Sequence, residues 1–313
     1  MVPRKLLHGD TGWRCCREAL AGLPHPCYNR GVSTLAPSPD WTIPQDWSHF
    51  TSTDHRVWDH LFDRQTRLLP GRVAPEFLDG LKRLDLTRPG VPDFARLNDQ
   101  LMVLTGWQVV AVPGLVPDAV FFEHLANRRF PAGNFIRRPD QLDYLQEPDV
   151  FHDVFGHVPL LAHPAFADYM QAYGRGGLRA LEFDAINRLS RLYWYTVEFG
   201  LIRSDEGLAI YGAGIVSSHG ETLFALDSAS PNRLGWTLER VLKTPYRIDD
   251  FQQNYFVIDS FDQLLRVTLE TDFGPLYQRL AGAEDIPIAA ILPEDMVFTR
   301  GDQSHAAGAC QPV

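Results

Sequence analysis

Cysteine is almost missing from the interior of this chain. Four of 313 residues are cysteine, and they are Cys15, Cys16, Cys27 and Cys310. Residues 28–309 therefore hold no disulfide and no thiolate metal site, which fits a reducing compartment such as the cytoplasm. No apolar run approaches the roughly 20 residues that a membrane span requires. Basic excess is absent as well. The formal net charge is −10 and the pI about 5.5, which argues against a nucleic-acid partner or an anionic membrane surface. The opening stretch MVPRKLLHGDTGWRCCREALAGL has basic residues but no continuous apolar core, so it is a poor secretory signal. No repeat of 20–50 residues is visible.

What remains is an ordinary globular composition, with 45% hydrophobic and 22% charged residues. STLAPSPDWTIP reads as a linker and RGDQSHAAGACQPV as a tail. Residues 1–38 are accordingly expected to be an extension without fixed structure, 39–299 one catalytic domain, and 300–313 a loose tail. Between them the pattern is mainly helical with a few short strands. TDHRVWDHLFDRQTRLLP places Val57, Trp58, Leu61, Phe62, Leu68 and Leu69 on one stripe, with Asp54 as N-cap and Pro70 as stop. APEFLDGLKRL, VPDFARLNDQLMVLTG and VPDAVFFEHLANRRF each begin with a proline suited to a first helical turn, and Gly106 terminates the second. WQVVAV, GLAIYGAG and NYFVI read as strands, and SFDQLLRVTLETDF as a late helix. FDAINRLSRLYWYTVEFGLIRS, apolar almost all round, is expected to be the longest and most central helix.

The chemistry concentrates in EPDVFHDVFGHVPLLAHP (147–164), where His152 and His157 stand five residues apart. On a continuous α-helix that spacing separates them by about 140°, a poor chelating geometry. Gly156 can end the helix in a left-handed conformation and Pro159 cannot continue it, so a bend there would turn His157 back towards His152. Asp153 stands where a zinc protease has the glutamate of His-Glu-x-x-His, which weighs against that class. Glu198, in YWYTVEFGL, is a carboxylate in an apolar segment, where an unpaired charge costs several kcal/mol. Two imidazoles and one carboxylate are the ligand set of non-haem Fe(II) oxygenases. Residue spacing alone leaves two readings open: a mononuclear metal enzyme, or ordinary helix histidines and a glutamate paired with a buried arginine or a hydroxyl. His163, before Pro164, reads as the start of the next helix. His219 is ambiguous, and the Gly-Ala-Gly of 212–214 is too short for a phosphate loop.

Three segments in order, QEPDVFHDVFGHVPL, LYWYTVEFGLI and IYGAGIVSSHGE, resemble the catalytic domain of the pterin-dependent aromatic amino acid hydroxylases and, within that family, the single-domain bacterial phenylalanine 4-hydroxylases. The resemblance runs from about Trp41 to about Ala290. It implies hydroxylation of L-phenylalanine to L-tyrosine with O2 and a tetrahydropterin (tetrahydrobiopterin or a relative) at a mononuclear Fe(II) held by His152, His157 and Glu198. It further implies pterin contacts from Gly114, Leu115, Val116, Phe121, Asp153 and Tyr193. Substrate contacts are implied for Arg137, as carboxylate clamp, for Trp194 and Phe199, as aromatic wall, and for Ser217, beside an iron histidine. Animal relatives carry glutamate where Asp153 stands, and a Thr-Pro pair where Leu145 and Gln146 stand. A cytoplasmic monomer is expected, served by a pterin-4a-carbinolamine dehydratase and a dihydropteridine reductase that recycle the pterin. Tyrosine or tryptophan as substrate, or a catalytically silent ligand-binding relative, are the alternatives.

Overall fold

The structure, a computed structural model, describes residues 38–143 and 147–309. The extension expected over 1–38 therefore falls almost wholly outside the described residues, as do Leu145, Gln146 and Cys310.

The first half of the chain is helical, apart from one strand pair. Helices α1 (Ser52–Leu68), α2 (Pro75–Arg83) and α3 (Phe94–Thr105) precede strand β1 (Gln108–Val112). Helix α4 (Asp118–Ala126) then crosses to β2 (Arg129–Gly133), which pairs with β1 in parallel. The stripe expected on α1 is real, with Trp58 and Leu61 fully buried. Its cap is Thr51, not Asp54. Asp54 is the third residue in, and it accepts from the Thr51 backbone while the Thr51 hydroxyl accepts from the Asp54 backbone. Gly106 ends α3 with φ 73°. Pro75 occupies the first turn of α2, whereas Pro92 and Pro117 lie at or before the caps of their helices.

A π turn, Phe151–His157, runs into the short α5 (Val158–Leu161). His163 is the N-cap of α6 (Pro164–Glu182), which is the longest helix described, at 19 residues. The segment expected to be the longest helix divides instead into α7 (Ile186–Tyr193), a second π turn (Trp194–Glu198) and strand β3 (Gly200–Ser204). An all-round apolar run suits a buried strand as well as a buried helix. Here β3 is paired on both sides, with β4 (Gly207–Ile210) antiparallel and β6 (Asn254–Ile258) parallel. Between β4 and β6 come α8 (Ala213–Val216), α9 (His219–Asp227), β5 (Asn232–Gly235) and α10 (Leu238–Leu242). Helices α11 (Phe261–Glu270) and α12 (Phe273–Leu280) follow. Strand β7 (Val297–Thr299) closes the sheet in the order β4-β3-β6-β5-β7.

The chain from residue 300, expected to be loose, packs back on the domain as far as the start of α13 (Ser304–Ala309). Gly301 N donates to Asn232 Oδ1 at 2.8 Å, and His305 Nε2 meets Asp250 Oδ1 at 2.8 Å. These are polar side chain and backbone contacts that no hydrophobic pattern announces.

Helix α6 lies across α4 through its glycines. A Cβ on Gly177 would fall 2.0 Å from the Phe122 ring, and one on Gly174 2.4 Å from Ala126 N, whereas Gly176 has open space around it. We expect Gly177→Ala to destabilise the protein by about 1–3 kcal/mol through overpacking. Gly176→Ala, one residue away, should gain up to about 1 kcal/mol from helix propensity. Urea unfolding of the two variants reads the difference in sign, and equal shifts would contradict the packing described.

Candidate metal centre and cofactor cleft

The two π turns bring the metal-binding candidates together. In a π turn the bonding runs i→i+5, which widens the coil and aligns residues five apart on one face. His152 and His157 meet this way, within a helix that does not end. Gly156 is not left-handed, contrary to the bend expected there; the helical backbone continues through it into α5. Pro159 gives a local reason for the widening, because it has no N–H for the Phe155 carbonyl and its ring crowds that carbonyl. Gly156 serves close approach instead, since a Cβ there would lie 3.0 Å from Ala213 O. The second π turn closes with Phe199 N donating to Trp194 O at 2.8 Å and delivers Glu198. Gly212 and Gly214 make room for it: a Cβ on the first would lie 2.3 Å from Glu198 O, and on the second 3.2 Å from Glu198 Oε2. The Gly-Ala-Gly segment is thus no phosphate loop, but it does cradle the carboxylate.

His152 Nε2 lies 3.2 Å from His157 Nε2 and 3.6 Å from Glu198 Oε2, and His157 Nε2 lies 3.3 Å from Glu198 Oε1. Two ligand atoms bound at about 2.1 Å and at right angles are about 3 Å apart, so one ion fits between all three. Among the described residues this is the one group of three such side chains with converging ligand atoms. Protonation agrees. Burial drives His152 down to about 4 in spite of the Glu198 charge. Burial alone would raise Glu198, but His157 and His152 outweigh it and hold the carboxyl below its ordinary range. At neutral pH the site therefore offers neutral His152 and one carboxylate charge.

Ser217 fixes the tautomer. Its Oγ donates to Ala213 O at 2.7 Å, so at 2.9 Å it must accept from Nδ1–H of His152. That leaves the Nε2 lone pair of His152 facing the metal position. His157 is steadied by packing, with its ring 4.9 Å from Phe130 and 6.1 Å from Tyr193.

A cleft open to solvent lies beside this centre. Gly114, Leu115, Val116, Phe121, Asp153 and Tyr193 all line it, together with the three candidate ligands. Phe121 meets Tyr193 edge-on at 5.9 Å, and both rings line the cleft. Burial pushes Asp153 up to about 7, while its Oδ2 accepts from Gly133 N at 2.8 Å.

Arg137, Trp194, Phe199 and Ser217 do not line that cleft; they gather elsewhere around the metal-binding group. Ser217 touches His152. Trp194 and Phe199 face each other at 4.6 Å. Arg137 is engaged by a residue that the sequence reading missed. Its Nε and Nη2 donate to the two oxygens of Asp149 at 2.9 Å each, and Asp149 also accepts from the backbone N–H of Arg137 and of His152. Asp149 is completely buried. An acid directly after a proline at a helix start was the available signal. His163 and His219 lie at helix starts, outside the metal-binding group.

Residues 42–270 match the biopterin-dependent aromatic amino acid hydroxylases. The chain belongs to this family. A Caulobacter vibrioides phenylalanine-4-hydroxylase is 65% identical over 86% of this chain and 91% of its own. A relative of the same name from Chromobacterium violaceum is 57% identical over 90% of this chain and 94% of its own. The structure of a Chromobacterium violaceum phenylalanine hydroxylase with iron and phenylalanine bound superposes with a TM-score of 0.83, at 53% identity, over 88% of this chain and all of that one. That relative thus binds iron, and the converging His152, His157 and Glu198 are a donor set of the right kind for it.

Ser217→Ala should weaken Fe(II) binding about tenfold, because the tautomer of His152 loses its anchor. Titration against a competing chelator measures this, and an unchanged affinity would remove Ser217 from the centre.

Proposed function

We propose that the chain is a phenylalanine 4-monooxygenase, converting L-phenylalanine to L-tyrosine with O2 and a tetrahydropterin. The carrying observation is the convergence of His152, His157 and Glu198 beside a cleft lined by Phe121 and Tyr193. Fe(II) bound there would supply the reductive activation of O2 that ring hydroxylation needs. The protein's own side chains supply the rest. His152, His157 and Glu198 would hold the ion as two imidazoles and one carboxylate, a ligand set used by oxygen-activating iron sites. Ser217 keeps a proton off the ligating nitrogen of His152. Phe121 and the 114–116 loop offer a flat apolar slot for tetrahydrobiopterin or a related ring, and Asp153 and Tyr193 border it. Asp149 occupies one edge of the Arg137 guanidinium, and the edge formed by its two terminal nitrogens suits the carboxylate of an amino acid. Trp194 and Phe199 give that amino acid an aromatic wall.

Phenylalanine is the substrate named for the relatives, and one relative binds it alongside iron. The same chemistry on tyrosine or tryptophan is the second reading, since a pocket discriminates a ring hydroxyl only modestly by size. No helix among the described residues is long and apolar enough to cross a membrane. We read the protein as a cytoplasmic monomer whose spent pterin is restored by a pterin-4a-carbinolamine dehydratase and a dihydropteridine reductase.

The deciding experiment supplies Fe(II), tetrahydrobiopterin and O2 with each of the three aromatic amino acids in turn and identifies products by mass. Tyrosine from phenylalanine is expected as the main product; no product from any of the three would overturn the reading. Glu198→Ala should lose iron and turnover together while keeping its helical circular dichroism, and full iron-dependent turnover in that variant would refute the ligand set. Arg137→Lys keeps a charge opposite Asp149 but loses the planar fork. It should raise KM for phenylalanine about tenfold or more and leave KM for the pterin nearly unchanged. Equal increases would remove the clamp role.

A further inference from the structure

We propose that Gln252 is a positioning residue for the amino acid pocket, acting through the indole of Trp194. The inference rests on the reading above, in which Trp194 is a wall for the substrate ring. Trp194 opens the π turn that ends in Glu198, so any shift of this ring occurs beside the metal position. One face of the indole stacks on Tyr246, with centroids 4.2 Å apart and planes 11° from parallel. Phe199 approaches at 4.6 Å with a tilt of 33°. Stacking restrains a ring against tipping but resists sliding and in-plane rotation weakly. The hydrogen bond from Trp194 Nε1–H to Gln252 Oε1, at 2.9 Å, supplies that missing restraint.

Gln252 can hold the indole because it is held itself. It is 3% exposed. Its Nε2 donates to Arg247 O at 3.0 Å, with a longer contact to Asp250 O at 3.4 Å. Carbonyls thus face the amide nitrogen and an N–H faces the amide oxygen, so only one orientation of the side chain satisfies every partner. The segment that supplies both Tyr246 and Gln252 is pinned from its far side. His305 Nε2 meets Asp250 Oδ1 at 2.8 Å, and Gln303 Nε2 donates to Gln253 O at 3.2 Å. A buried, fully paired amide specifies one geometry where an apolar side chain would merely fill space.

The test uses the full-length, iron-loaded protein. Gln252→Met keeps the length of the side chain and removes the acceptor. KM for phenylalanine should rise about fivefold to tenfold, as expected for one lost buried hydrogen bond. KM for the pterin and iron content should not change, and calorimetric binding of phenylalanine should weaken by the same factor. In a Trp194→Phe background Gln252→Met should add nothing, because the donor is already gone. A lowered Tm with unmoved phenylalanine parameters would reduce Gln252 to a structural role and overturn the inference, as would losses that simply add in the double variant. Should Gln252→Met not fold, Gln252→Asn withdraws the acceptor by one methylene with the same expectation and the same refutation. Wild-type protein that makes no tyrosine sinks the functional reading and this inference together. Active wild type with an unmoved Gln252→Met sinks the inference alone.

Discussion

The Glu198 carboxylate, mostly shielded from solvent beside two imidazoles, is the constraint on which the rest of the site depends. An isolated charge at that depth would cost several kcal/mol, and the surrounding segment offers mostly apolar side chains. Its position is tolerable because His152 and His157 face it within 3.6 Å and because a divalent cation can share all three. That demand explains the local backbone. Two separate helices give up regular bonding at the places where they must present ligands, and each does so by the same device, a π turn. Gly212 then lets its backbone approach that of Glu198 more closely than any Cβ would permit, and Gly156 and Gly214 allow contacts tighter than most Cβ atoms make.

Around this centre, Asp149 joins two tasks that the sequence keeps apart. One of its oxygens accepts from Nη2 of Arg137 and from the backbone of His152, and the other from Nε and the backbone of Arg137. The proposed carboxylate clamp and the first proposed iron ligand are therefore registered against a single buried acid. Breaking the pair from either end would leave an uncompensated charge in a dry place, which costs far more than the pair contributes when intact. Removal of Asp149 would accordingly disturb metal and substrate geometry together, whereas changes to Arg137 that preserve its charge act on one side.

Much of the fold could be read from local pattern. The stripe of α1, the glycine stop of α3, the strands β1, β4 and β6 and the start of α6 at His163 all follow from periodicity and caps. Glu198 was legible for a chemical reason, being a charge where none should be without a partner. The π turn was not legible, because nothing in residue type distinguishes i→i+5 from i→i+4 bonding until Pro159 and the neighbouring α8 are both in place. The same limit misled the reading of Gly156, whose missing Cβ matters for contact with Ala213 and not for a left-handed stop. The run 183–204 looked like one helix because burial on all sides erases the periodicity that separates strand from helix. Asp149, Gln252 and the returning chain near His305 act through polar contacts between segments remote in sequence, and no window of neighbouring residues contains them.

The site also divides along the chain in a way that bears on how it can vary. The cleft proposed for the pterin draws its floor from the β1–α4–β2 unit, residues 112–133, with Asp153 and Tyr193 at its edge. The aromatic wall proposed for the amino acid comes from the second π turn, and the loop behind it, residues 244–253, belongs to the last third of the chain. The metal-binding side chains lie between the two, contributed by neither extreme. Cofactor and amino acid surfaces thus rest largely on different supports, which meet at the two π turns. Substitutions in the 244–253 loop can alter the shape offered to an aromatic ring without moving Phe121 or the 114–116 loop. Changes at the π turns move both at once. If Trp194 is the wall proposed here, selectivity among aromatic amino acids is most freely adjusted from behind it, at positions that touch neither metal nor substrate.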